Sequence, residues 1–103
     1  MVEEILDEPN WEIPIDFQDE FGNALLHIAC QMGSKKLLKI CLRRGANINI
    51  QNLKGQTPLH FAARYGYMSL VQYLVSKGAD DSILNSAGLT CYEGLDFKEI
   101  DFL

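Results

Sequence analysis

Two histidines and three cysteines are the residues of this chain best able to do chemistry. His27 and His60 could move a proton near neutral pH or give an imidazole nitrogen to a metal, and Cys30, three residues after His27, could join such a site. Their surroundings argue against both roles. Structural zinc takes four ligands where His27 and Cys30 supply two, and no carboxylate stands near either histidine in the sequence. Cys30, Cys41 and Cys91 form an odd, widely spaced set without a CxxC pair, which signals neither a disulfide framework nor a zinc module and suits a reducing compartment. No glycine-rich phosphate loop, nucleophile elbow or credibly spaced carboxylate pair occurs. The sequence therefore predicts no enzyme, no cofactor, no metal and no small-molecule substrate.

What positions the histidines is a repeat. Aligning the chain with itself at an offset of 33 residues brings Gly22 onto Gly55 onto Gly88, His27 onto His60, Gly33 onto Gly66, and Gly45-Ala46-Asn47 onto Gly78-Ala79-Asp80. Units of this length cannot bury their own apolar faces and must stack, which makes a solenoid. Residues 55–66 are the cleanest copy: Thr57 suits an N-cap, Pro58 the first helical turn, and Gly66 the helix end. Helices are predicted at Ala24 to Met32, Lys35 to Arg44, Pro58 to Tyr65 and Ser69 to Lys77. Cys30 aligns with Ala63 and Cys41 with Leu74, so both are expected as buried apolar residues, whereas Cys91 aligns with Pro58 and is expected to be more exposed.

Gly55-Gln56-Thr57-Pro58-Leu59-His60-Phe61-Ala62-Ala63, followed by Gly66, Leu70-Val71, Tyr73-Leu74 and Gly78-Ala79-Asp80, resembles the ankyrin repeat almost position for position. The resemblance covers roughly residues 15–96 and implies an all-α ankyrin-repeat solenoid of stacked helix-turn-helix units with projecting β-hairpin loops near 49–55 and 82–88. It divides a single domain, 1–103, into an N-terminal cap (1–18), repeat one (19–51), repeat two (52–84) and a partial repeat serving as C-terminal cap (85–103). It also implies that the two histidines are structural, bonding within and between repeats. Three departures from the pattern matter. Ala24-Leu25 replaces Thr-Pro, which costs an N-cap hydroxyl unless Asn23 substitutes. In the third copy Cys91-Tyr92-Glu93 replaces Pro-Leu-His, and Glu93 is not expected to take over the histidine's role. At the ends, Trp11, Ile13, Ile15 and Phe17 are expected to cover the open stack after a short helix around Val2 to Leu6, and Asp96 to Leu103 to form a last short helix; Phe97 and Phe102 leave open that the chain is a segment of a longer protein.

Specificity would then be written on the surface. The resemblance places partners on the hairpin tips and the exposed side of the first helices, at Glu20, Phe21, Asn23, Gln31, Met32, Leu53, Lys54, Gln56, Arg64, Tyr65, Ser86, Ala87 and Leu89. Phe21, Met32, Leu53, Tyr65 and Leu89 are apolar where the fold would expose them, beside Arg and Lys, as at interface centres. Charge is segregated: residues 1–20 hold eight acids and no base, residues 21–78 eight bases and no acid, within a net charge of −5. On the second helix Lys35, Lys39 and Arg43 form a basic strip that reads as a solvated outer face. The expected activity is protein binding. The alternative, attachment of the basic middle to nucleic acid or anionic lipid, is disfavoured because acidic residues 1–20 could neutralise it within one chain or head to tail between two. A monomer without a membrane span, cytoplasmic or nuclear, is expected. Leu42 to Asn49 loosely resembles the context of ankyrin asparagine hydroxylation, although Asn47 stands where an acid is usual; an intact mass registers any change at Asn49.

Overall fold

A computed structural model describes residues 14–93. Four helices follow in order: α1 (Leu25–Met32), α2 (Lys35–Arg43), α3 (Pro58–Arg64) and α4 (Met68–Ser76). α1 packs on α2 and α3 on α4 as antiparallel pairs, and α1 packs on α3 to stack the pairs. Among the described residues there is no strand; the projecting loops are tight turns. The first and last segments expected as helices, with Trp11, Ile13, Phe97 and Phe102, lie outside the described residues.

The stack exists because each helix carries one apolar stripe. Leu26, Ala29 and Cys30 of α1, Leu38 and Cys41 of α2, Leu59, Ala62 and Ala63 of α3, and Leu70, Val71 and Leu74 of α4 form one buried cluster. Small residues at 29, 30, 62 and 63 let the first helices approach closely. The two cysteines expected inside are there, and burial pushes the Cys30 thiol up to about 12 and Cys41 to about 11. Cys91 corrects the expectation of greater exposure: it is 3% exposed and belongs to the same cluster, at the position that the buried Pro58 holds one repeat earlier. At the N-terminal end Ile15 packs against the cluster as expected of a cap, but Phe17 is exposed.

Helix ends explain the small shifts from the predicted boundaries. Ala24 is extended and stands outside α1 as its N-cap; Arg44, Tyr65 and Lys77 are C-caps rather than helical residues. Past α2, the Gly45 N–H donates to the Leu42 carbonyl and the Ala46 N–H to that of Cys41; past α4, the Gly78 and Ala79 N–H groups do the same to Val75 and Leu74. These paired bonds consume the carbonyls a helix end leaves open.

The two first helices begin differently. Thr57 Oγ1 accepts from the His60 N–H, and His60 Nδ1 accepts from the Thr57 N–H at 3.0 Å. At α1 only the second half survives, the Ala24 N–H donating to His27 Nδ1 at 2.9 Å, and no side chain caps the helix. Asn23 does not substitute, because its Oδ1 accepts from Asn52 Nδ2 instead. Ala24→Thr restores the missing hydroxyl at a position equivalent to Thr57 and is expected to stabilise the chain by about 1 kcal/mol, read as a higher urea midpoint at unchanged m-value.

Candidate functional site

The loop side of the stack is built by one side chain used three times. Asp19, Asn52 and Asn85 sit at the same position of successive turns. Each Oδ1 accepts the backbone N–H two and four residues on: Phe21 and Asn23, Lys54 and Gln56, Ala87 and Leu89. A short polar side chain that bonds its own following backbone folds the loop back on itself. Neighbouring turns are then tied tip to tip, the Leu53 N–H donating to the Phe21 carbonyl at 3.1 Å and the Ser86 N–H to that of Lys54 at 2.8 Å. The Gln18 amide donates to the Gln51 carbonyl and the Gln51 amide to that of Leu84. The series 19, 52, 85 was available in the sequence at the same 33-residue offset as the glycines.

The histidines brace this side from within. With Nδ1 accepting from backbone, each ring carries its proton on Nε2, and His27 Nε2 donates to the Gln56 carbonyl at 2.8 Å while His60 Nε2 donates to that of Leu89 at 3.0 Å. Both nitrogens of both rings are thereby engaged by the chain itself. Burial holds the His27 imidazole below its ordinary value, a pull that its bonds to backbone carbonyls only partly offset. Glu93 takes over half of the histidine's role in the third copy. Its carboxylate accepts the Thr90 N–H at 3.1 Å and its own N–H donates to Thr90 Oγ1, so it reproduces the histidine's bond within the turn as a capping box does. Among the described residues no three His, Cys, Asp or Glu side chains are grouped as a metal ion would require.

Of the predicted partner-facing residues, Phe21 (64% exposed), Met32 (64%), Leu53 (76%) and Tyr65 (46%) do present apolar surface. Glu20, Gln31, Lys54, Arg64, Ser86 and Ala87 are exposed. Leu89 departs from expectation: it is half-buried, because its carbonyl is held by His60 and its N–H by Asn85. Asn23 and Gln56 are half-buried and act as supports. Phe21, Asn23, Leu53, Lys54 and Gln56 converge, with Asn52 and Phe61, on one pocket of about 380 Å³; Gln56, Arg64, Ala87 and Leu89 line a neighbouring one of about 230 Å³. Glu20, Gln31, Met32, Tyr65 and Ser86 line neither pocket. Phe61, which sequence reasoning passed over, stands between the layers, 5.1 Å from the His27 ring and 6.4 Å from that of Tyr65.

A family model described as ankyrin repeats in three copies matches residues 1–85. The chain belongs to the ankyrin repeat family. The ankyrin repeat and SAM domain-containing protein 6 of Rattus norvegicus is 40% identical to it over 45 residues, 44% of this chain and 5% of that protein. The protein of the same name from Mus musculus is 42% identical over 40 residues, 39% of this chain and 4% of its own length. The ankyrin chain thus spans about a twentieth of the curated relatives it matches. Ankyrin repeats are in general protein–protein interaction modules. No helix of the described residues is long and apolar enough to cross a membrane.

Proposed function

We propose that this chain is a non-catalytic module that binds a partner protein across its loop tips and first helices, in the cytoplasm or nucleus, as a segment of a longer protein or alone. The observation that carries this reading is the pocket where Phe21 and Leu53, both largely exposed, meet the Lys54 side chain on a backbone fixed by hydrogen bonds. Exposed apolar anchors on a rigid frame lose little entropy on docking, so a few such side chains dominate an interface. Engagement of both histidines by backbone supports a scaffold role for them. A Phe21→Ala, Leu53→Ala double variant with unchanged circular dichroism is expected to bind at least about tenfold more weakly any partner captured by the unsubstituted chain, measured by titration. Equal binding by the folded variant places the site elsewhere.

A further inference from the structure

A larger cleft lies on the other helices. It has a volume of about 780 Å³, twice that of the pocket at Phe21, and shares no lining residue with either loop-side pocket. Lys36, Lys39 and Arg43 of α2 and Lys77 just past α4 surround it, and no carboxylate of the described residues lines it. The interior is apolar: Ile40 is buried, Leu42, Ala46 and Ile48 are half-buried, and the Tyr73 ring forms one wall. The basic strip of α2 is solvent-exposed, as expected, and forms the rim of this cleft. Lys35, Lys39 and Lys77 bring their ammonium groups to 4.7, 5.9 and 5.5 Å from the centre of the Tyr73 ring. Like charges gathered on one ring repel each other, and the ring quadrupole offsets this only weakly at an exposed site.

We propose that this cleft docks an acidic peptide segment of a partner protein, with large apolar side chains set among its carboxylates. Carboxylates would relieve the crowding of ammonium groups by charge-assisted hydrogen bonds, and an apolar side chain would fill the interior that Ile40, Ile48 and Tyr73 leave open. A phosphate polymer would use the cations alone and leave that interior wet, which is why a peptide is favoured over nucleic acid. The site is separate from the loop-side surface and stands whether or not that surface binds.

The test is a fluorescence anisotropy titration of the full 103-residue chain with a labelled peptide of glutamates interrupted by two leucines. Saturable binding is expected, weakened about tenfold when glycine replaces the leucines, when glutamine replaces the glutamates, or when the chain carries Lys39→Glu and Lys77→Glu with unchanged circular dichroism. Should that variant fail to fold, NMR of the unsubstituted chain decides: shifts at Tyr73 and Lys39 on adding peptide are expected, and shifts confined to the loop side overturn the site. Four other results also overturn it: no binding, full binding by the glycine peptide, equal competition by single-stranded DNA, and binding that appears only after residues 1–13 are deleted. The last would make the chain's own acidic segment the occupant.

Discussion

Gly22→Ala is expected to cost about 2–4 kcal/mol, where Gly45→Ala costs about 1–2 kcal/mol, although the two glycines share nearly the same left-handed φ of +80° and +82°. The difference lies in what a methyl group would meet. At Gly22 it would stand 2.6 Å from the Leu53 backbone nitrogen, and at Gly45 nothing lies within 4 Å. Leu53 cannot rotate out of the way, because its N–H is the donor that ties the second turn to the Phe21 carbonyl. The turns must therefore separate, and the bond between them, worth about 1 kcal/mol net, is lost together with packing around it. Both substitutions restrict the unfolded chain equally, so the comparison removes that contribution. In a stacked protein the loss falls on the coupling between repeats, so cooperativity should fall too. Urea unfolding of both variants, followed by helical circular dichroism, gives the two costs; equal midpoints would show that backbone strain alone makes position 22 a glycine.

The same contrast explains what was legible in the sequence. Gly22 and Gly55 recur because the same close approach recurs, Gly55 facing the Ser86 nitrogen as Gly22 faces that of Leu53. The histidines recur because each ring must reach a carbonyl 29 residues on. Positions with one identical job in every repeat therefore announce themselves by spacing. A changed residue type hides a kept role at Cys91, whose small thiol fills the site of Pro58, and half of one at Glu93, whose carboxylate accepts what an imidazole nitrogen accepts but cannot donate to a carbonyl of a further repeat. Leu89 was misread because exposure at a loop tip depends on which backbone groups are tied inward. The cleft between α2 and α4 was not legible at all. It is made by Tyr73 of one repeat meeting lysines of the repeat before, and such a pairing across units leaves no periodic mark.

The chain is expected to lose stability on acidification from about pH 7 to pH 5 in part through His27. In the unfolded chain this imidazole titrates at its ordinary value of 6.5, whereas in the folded chain desolvation by burial lowers it. Below pH 6.5 the unfolded state therefore binds the proton first, so unfolding takes up protons and stability falls as pH falls, until the folded ring also titrates. The structural consequence is specific. A proton on Nδ1 would turn the acceptor of the Ala24 N–H into a donor aimed at it, at the one first helix that has no side-chain cap. His27→Gln cannot titrate but keeps a donor that can reach the Gln56 carbonyl. It should cost about 1–3 kcal/mol at pH 7.5 by orphaning the buried Ala24 N–H. That cost should shrink as pH falls below 6.5, because the unfolded parent chain takes up a proton that the folded ring resists and the variant has no imidazole at this position. The difference between their urea midpoints across this range reports on the histidine. A difference that stays constant with pH would mean that His27 holds the repeats together without sensing protons.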